Sequence, residues 1–168
     1  MRWKDHSIRI FTKMRKRFED RYSKMIESLH KDKIYTSHLR FNSKKFVWVP
    51  VAKDVAMKGM QVILRDGRWK LRRKVEFEID TGVHISCVLP KEQLGLDKEQ
   101  LKAAELKWSK CGGKVKFKIV GITLYHKREK TYVALKIVSK IITEIREEIG
   151  LMAHPEEFNM HVTMAENK

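Results

Sequence analysis

The sequence has little cysteine, and the cysteines it has do not form a paired motif. It contains 2 cysteines among 168 residues, Cys87 and Cys111, and no Cys-x-x-Cys spacing. Secreted scaffolds stapled by disulfides and zinc ribbons need more cysteines than this. We therefore expect reduced thiols in an intracellular, cytoplasmic protein, with Cys87 acting as a small buried apolar residue.

Long apolar runs are absent as well. No stretch approaches the length of about 20 apolar residues that crosses a bilayer. The first six residues include the charged Arg2, Lys4 and Asp5 and lack the apolar stretch of a signal peptide. These absences predict a protein with no membrane partner. A hydrophobic content of 42% over 168 residues is enough for one well-buried core but too small for two independent domains. We therefore expect one main domain. We also expect a monomer.

Acidic residues are outnumbered by basic ones. The chain has 37 Lys and Arg against 21 Asp and Glu, which gives a formal net charge of +16. Such an excess attracts polyanions over long range, and nucleic acid is the first candidate. A basic surface that only aids solubility is the alternative. We expect the partner to be RNA, an oligonucleotide or a cyclic nucleotide.

Several catalytic signatures are also missing. The sequence has no His-Glu-x-x-His, no P-loop spacing and no Gly-x-Ser-x-Gly, and Cys111-Gly112-Gly113 is typical of a helix terminator rather than of a phosphate loop. His154 and His161 with Glu156 or Glu157 could be imagined as metal ligands, but they lack a metal-site spacing. We therefore predict no metal and no cofactor.

Apolar residues at helical spacing mark the first 33 residues. They recur in steps of three and four, at Phe11, Met14, Phe18, Tyr22, Met25 and Leu29. This stripe predicts one amphipathic helix. Its basic remainder could bind RNA or a membrane surface, but packing of the stripe on the protein is the commoner arrangement. We predict a helical extension over residues 1–42, packed on a domain that covers residues 43–168.

The rest of the chain alternates between strand and helix patterns. A connection is predicted at 35–42, helices at 53–64, 97–110 and 139–150, and strands at 46–51, 75–79, 84–87, 115–125, 132–138 and 161–164. A basic stretch, residues 68–74, precedes the strand at 75–79. The order of elements falls into two similar units. This order predicts an α+β protein of two pseudo-symmetric lobes, with antiparallel sheets lining a central cleft and helices outside.

Two stretches share one pattern and each closes one of these units. They are His84-Ile85-Ser86-Cys87 and His161-Val162-Thr163-Met164. In a strand, alternate side chains share a face, so each stretch presents a histidine and a hydroxyl side by side with apolar residues behind. A single histidine of this kind is more often a structural residue of a core. Two such matches are rare, because only about 0.1 is expected by chance.

The two stretches resemble the paired motifs of the 2H phosphoesterase superfamily. The resemblance covers residues 44–168 and includes a hairpin, an amphipathic helix and Phe158 shortly before the second histidine. Ser86 stands where threonine is frequent in that family, and Asn159-Met160 stands where a proline is frequent. The superfamily includes RNA 2′,3′-cyclic phosphodiesterases, 2′,5′-oligonucleotide phosphodiesterases, a poly-U exonuclease and viral enzymes that destroy nucleotide messengers.

The resemblance implies a catalytic set of four residues. His84 and His161 would divide the proton transfers, and Ser86 and Thr163 would bind the phosphate. It implies a metal-independent phosphodiesterase of RNA or oligonucleotides, with a messenger hydrolase or a non-catalytic basic RNA-binding protein as alternatives. Base recognition needs aromatic side chains at a cleft rim, and the candidates are Tyr125, Tyr132 and Trp69.

Overall fold

The chain folds into helices packed against two antiparallel sheets. The computed structural model describes residues 2–41, 47–78, 82–88, 97–110, 112–148, 150–151 and 160–168. The helices are α1 (Arg2–His30), α2 (Lys53–Met57), α3 (Met60–Leu64), α4 (Arg73–Glu76), α5 (Lys98–Lys110) and α6 (Lys140–Glu148). The strands are β1 (Tyr35–His38), β2 (Arg40–Phe41), β3 (Val47–Pro50), β4 (Trp69–Leu71), β5 (His84–Val88), β6 (Lys114–Lys127), β7 (Lys130–Val138) and β8 (His161–Asn167).

The larger sheet has five strands in the order β1-β6-β7-β8-β4, and the smaller has three in the order β2-β3-β5. Every pairing between these strands is antiparallel, and the larger sheet curls into a half-barrel. The chain passes between the sheets at Leu39, whose amide donates a hydrogen bond to the Gly113 carbonyl at 2.8 Å. The α+β class predicted from the sequence is confirmed.

The predicted first helix is confirmed, and its apolar stripe lies in the core. Phe18, Tyr22 and Ile26 are buried there, and the Ser23 hydroxyl donates to the Ile122 carbonyl of β6 at 3.2 Å. Because β1 pairs with only the first four residues of β6, the rest of that edge has no strand partner among the described residues on this side. α1 packs along it and covers an edge that would otherwise expose backbone groups.

The predicted connection at 35–42 is wrong for its described part, residues 35–41. Tyr35 to His38 pair with β6, and residues 40–41 pair with β3. The polar residues agree with the half-exposed side chains of β1, but the Tyr35 ring packs on Phe117, with ring centroids 5.6 Å apart. These residues therefore lie within the sheets, and the division into residues 1–42 and 43–168 stays a prediction.

The helix predicted over 53–64 is wrong in its continuity, because it is divided at Gly59. That residue has a φ of 88°, in the left-handed region that favours glycine. A Cβ there would lie 2.8 Å from Leu29 Cδ1 and 3.0 Å from Ile26 Cδ1. Gly59 therefore lets the chain turn between α2 and α3 at a point where its backbone lies close to α1.

The strand predicted over 75–79 is wrong, because the chain turns into α4 directly after β4. The amides of Val75 and Glu76 both donate to the Arg72 carbonyl at 3.0 Å. A helical turn does not put alternate residues on one face, so Val75 is buried whereas Phe77 is 61% exposed. Ile79 and the residue after it lie outside the described residues.

The two later helices are confirmed. Asp97 caps α5, since its carboxylate accepts from the Gln100 amide at 2.7 Å and its own amide donates to Gln100 Oε1 at 3.0 Å. α5 buries Trp108, whereas Leu106 is 60% exposed. No helix among the described residues is both long enough and apolar enough to span a membrane.

Gly150 ends α6 as predicted, with a φ of 80°. The Leu151 amide donates to the Arg146 carbonyl at 2.8 Å, and the Gly150 amide donates to the Glu147 carbonyl at 3.1 Å. This pair of bonds is a Schellman motif. After α5, Gly112 and Gly113 also have positive φ values, of 66° and 69°, which agrees with a helix terminator; Cys111 lies outside the described residues.

Candidate active site at the junction of the two sheets

Both histidine stretches are strands, and their side chains alternate as predicted. In β5, Ile85 and Cys87 are buried while His84 and Ser86 are partly exposed. In β8, Val162 and Met164 are buried, and the alternating positions 161 and 163 are partly exposed. Each strand therefore anchors its apolar side in the core and presents an imidazole and a hydroxyl on the other side.

The two strands belong to different sheets and meet at the junction. β5 is an edge strand of the smaller sheet, β8 lies in the larger sheet, and the two are in contact. His84 and His161 lie close enough that the charge of one lowers the pKa of the other. Residues that are 77 positions apart in the chain, as the numbers 84 and 161 give, are thus neighbours in one site.

His84 has a lowered pKa and a hydrogen bond at Nδ1. Burial is the main cause of the lowering, and the charges of Lys74, Arg72 and His161 add to it. The Nδ1 atom lies 3.1 Å from the Gly82 carbonyl oxygen, and this bond opposes the lowering. A carbonyl can only accept, so Nδ1 carries the proton and the lone pair of the neutral ring is on Nε2. Nε2 is therefore the atom that can accept a proton.

Thr163 is held by Tyr125. Their hydroxyl oxygens are 2.7 Å apart, and the Tyr125 ring lies with its centroid 5.0 Å from that of His161. Tyr132 stacks on Tyr125 at 5.1 Å, with 22° between the ring planes. The Arg72 guanidinium carbon is 5.5 Å from the centroid of Tyr132. The hydroxyl, the two rings and the guanidinium form one continuous wall beside His161.

The pKa of Tyr125 is raised, mainly by burial, although its bond to Thr163 opposes the change. Tyr125 therefore keeps its proton at neutral pH and can donate it. Both tyrosines predicted as substrate contacts, Tyr125 and Tyr132, lie beside the histidine pair. Whether they touch a substrate stays a prediction.

The Ser86 hydroxyl lies on the same side of β5 as His84. It is opposite Trp48 in the register of the smaller sheet. Within the part of the chain that the structure describes, this hydroxyl has no hydrogen-bond partner. It is therefore placed to donate to an anion held between the histidines.

Trp69 does not lie at the rim of this site, so its prediction as a base contact is corrected. Its side chain is 3% exposed and packs edge-on against Phe18 of α1, with ring centroids 5.6 Å apart. The physical reason is the strand position. Trp69 and Leu71 alternate with the exposed Lys70, and the apolar pair faces inward.

Arg72 and Lys74 are site residues that sequence reasoning did not single out. The Arg72 amide donates to the Met164 carbonyl at 3.0 Å, which fixes Arg72 to β8 next to Thr163. The charges of both residues act on His84. The basic stretch 68–74 was the signal in the sequence, but only the turn from β4 into α4 brings its last residues to the histidines.

Metal ligands are a separate question. No group of three or more His, Cys, Asp or Glu side chains in the described ranges could hold a metal ion. His154, Glu156 and Glu157 lie outside those ranges.

Comparisons with family models, with curated proteins and with solved structures gave no match to this chain. Inference about function therefore depends on the residues and their geometry.

Proposed function

We propose that this protein is a metal-independent phosphodiesterase that acts on RNA or oligonucleotides by two-histidine acid–base catalysis. The observation that supports this most is the meeting of His84 and His161 at the junction of the two sheets. Each brings a hydroxyl on its own strand, and two cations, Arg72 and Lys74, lie within electrostatic reach. This set resembles the 2H phosphoesterases, and with it we propose their two-lobed, pseudo-symmetric arrangement.

His84 is the proposed general base. Its lowered pKa keeps the ring neutral near pH 7, with the accepting lone pair on Nε2. It would remove the proton from the attacking water or from a ribose hydroxyl, while protonated His161 donates a proton to the departing oxygen. Each histidine thus ends the step in the protonation state in which the other began.

The charge that grows on the phosphate needs donors. Ser86 and Thr163 would donate to the non-bridging oxygens, where negative charge increases in the transition state. Arg72 and Lys74 add positive charge on the same side. The scheme needs no further group, since both proton transfers and the charge stabilisation come from side chains.

The substrate class follows from charge and from the aromatic wall. The net charge of +16 favours an oligonucleotide, and the stacked pair Tyr125 and Tyr132 offers a surface beside the phosphate site on which a base can stack. We propose 2′,3′-cyclic, 2′,5′ or 3′,5′ phosphodiester linkages as the substrates.

The test is a panel of substrates against matched histidine variants. The panel contains 2′,3′-cyclic nucleotides, 2′,5′-oligoadenylate, cyclic oligonucleotides and short RNA. His84→Ala or His161→Ala should lower kcat/KM by about 10²-fold or more, as expected for a general acid or base. His38→Ala, a change at an exposed histidine of β1, should leave turnover unchanged, and EDTA should not inhibit.

The panel also separates the alternatives. Turnover of a cyclic or linear messenger alone would identify a messenger hydrolase. Salt-sensitive RNA binding without turnover of any substrate would identify a binding protein and would contradict the proposed catalysis. Near-normal turnover in both alanine variants would contradict it as well.

A further inference from the structure

A cavity of about 350 Å³ lies between α1 and the start of β4, lined by residues of both. Phe18, Tyr22 and Trp69 contribute its aromatic lining and are almost fully buried. None of its described lining residues is one of the proposed catalytic set. It is therefore a concave surface of its own, with an apolar floor.

Four cations surround this floor. They are Lys13, Arg17, Arg21 and Arg68, and all four are exposed. The only acidic residue among the described residues of the lining is Asp66, whose Oδ1 lies 4.0 Å from Arg68 Nε. Four cations against one carboxylate leave an excess of three positive charges.

The three helix cations share one face of α1. Lys13, Arg17 and Arg21 are spaced four residues apart, which brings neighbouring side chains together on a helix. Like charges at this spacing repel each other. None of these three cations takes part in an ion pair within the described part of the chain. An anion that binds between them would remove this repulsion.

The shape of the cavity and the burial of α1 distinguish between polyanions. A bilayer would need a wide apolar helix face to insert, but α1 buries Phe18, Tyr22 and Ile26 in the core, and the large apolar side chains that its described part leaves exposed are Ile8 and Ile10. The cations also surround a recess rather than a flat face. A row of charges about a recess fits the spaced phosphates of a flexible single strand.

We propose that this cavity binds the phosphate backbone of single-stranded RNA. Trp69 lines the cavity at the start of β4, and Arg72 of the histidine site follows three residues later, about 10 Å along the chain. β4 is an edge strand of the larger sheet. An RNA strand can pass over this edge from the cavity to the histidines. Binding in the cavity does not require catalysis by them, so the two proposals can fail separately.

The test measures RNA binding with the four cations removed. The variant K13Q/R17Q/R21Q/R68Q is compared with K98Q/K102Q/K116Q/K118Q, which loses the same charge at exposed positions outside the cavity. Both are made in a His84→Ala background so that RNA stays intact. The probe is a fluorescein-labelled uridine oligonucleotide of about 12 nucleotides, followed by fluorescence anisotropy over a range of salt concentrations.

The cavity variant should bind at least about tenfold more weakly near 0.1 M salt, and its salt slope should fall by about 0.7 for each lost phosphate contact. The control should lose less than about threefold. Equal losses in the two variants would attribute binding to net charge and overturn the proposal. Unchanged RNA binding in both variants would overturn the proposal too. So would a cavity variant that loses binding to anionic vesicles but keeps its binding to RNA.

A second measurement leaves the four cavity cations in place, so it does not depend on the folding of the charge variants. In the His84→Ala protein, the rate of acetylation of Lys13 is followed by mass spectrometry with and without the RNA. The proposal predicts that RNA slows acetylation at Lys13 and leaves the exposed Lys98 unchanged. Equal rates at Lys13 with and without RNA would overturn it.

Discussion

The hydrogen bond between Tyr125 and Thr163 holds the threonine hydroxyl against a ring that lies next to His161. Tyr125 keeps its proton because burial raises its pKa, and the two oxygens are 2.7 Å apart. If Tyr125 donates this proton to Thr163 Oγ1, the proton of Thr163 is directed elsewhere. The proposed scheme directs it to a non-bridging phosphate oxygen beside His161. In that scheme Tyr125 would position Thr163 as well as form part of the aromatic wall.

At this scale, the sequence predicts the histidines and hydroxyls but not which cations of the basic stretch 68–74 reach them. The alternation of a strand is local, so His84 and Ser86 could be assigned to one side from their spacing alone. Arg72 and Lys74 reach the site because the chain leaves β4 and turns into α4. That turn depends on pairing between β4 and β8, which the local sequence does not encode.

The charges near His84 predict the pH dependence of activity. A base must be neutral, so kcat/KM should fall as the pH drops through the His84 pKa, which lies below the ordinary 6.5. Lys74 helps to lower that pKa, so Lys74→Gln should raise it. The acid limb of the profile should then move to higher pH. The measurement is kcat/KM against pH with a 2′,3′-cyclic nucleotide, since kcat/KM reports the pKa values of the free enzyme.

Lys24→Gln is the matched control for this shift. It removes the same charge from an exposed position of α1, outside the residues that shift the His84 pKa. An acid limb that stays in place in Lys74→Gln, or moves to lower pH, would show that His84 is not the base.

At the scale of elements, the long and strongly patterned segments are the predictable ones. Periodic apolar positions run over two or more turns of α1, α5 and α6, and over several residues of each strand in the β6–β7 hairpin. β1 and β2 are short and polar, and they become strands only because β6 and β3 supply backbone partners. Their formation depends on tertiary contacts that no local pattern reveals.

Gly59 provides a stability prediction at this scale. Gly59→Ala puts a side chain at a φ of 88°, which costs about 1–2 kcal/mol in the left-handed region. The new Cβ would also meet Leu29 Cδ1 at 2.8 Å, and the side chains of α1 would have to move. We expect the free energy of unfolding to fall by about 1–3 kcal/mol, measured by urea denaturation.

Gly67→Ala is the control for this prediction. A Cβ added at Gly67 would meet no described atom within 4 Å, and the φ of this residue lies outside the left-handed region. Its change should therefore stay within about 0.5 kcal/mol. Equal stability of the two alanine variants would show that α2 and α3 do not depend on the close approach at Gly59.

At the scale of the molecule, the proposed active site depends on how the two sheets are held together. Arg146 of α6 is buried, and its Nη1 donates to the Cys87 carbonyl of β5 at 2.7 Å. α6 also packs against β6 of the larger sheet. This helix therefore links β5 to the sheet that carries β8. The buried Arg146 guanidinium therefore holds β5 in place, and a shift of β5 would separate His84 from His161.

The excess of positive charge should act on substrate capture by the whole molecule. A net charge of +16 attracts an RNA chain with many phosphates far more strongly than a mononucleotide with one charge. For RNA of about 12 nucleotides, kcat/KM should fall about tenfold or more between roughly 50 and 200 mM salt. For a 2′,3′-cyclic mononucleotide it should fall less than about threefold, because only one phosphate releases counterions.

The comparison of the two substrates at each salt concentration isolates this long-range contribution. Both reach the same histidines, so any effect of salt on the chemical step is common to them and cancels in the ratio of their kcat/KM values. The ratio of kcat/KM for RNA to kcat/KM for the mononucleotide should decline steadily as the salt concentration rises. The reason is that screening shortens the reach of the surface charge to about 10 Å at 0.1 M. A ratio independent of salt would mean that the basic surface does not take part in capturing RNA, and that the charge serves solubility alone.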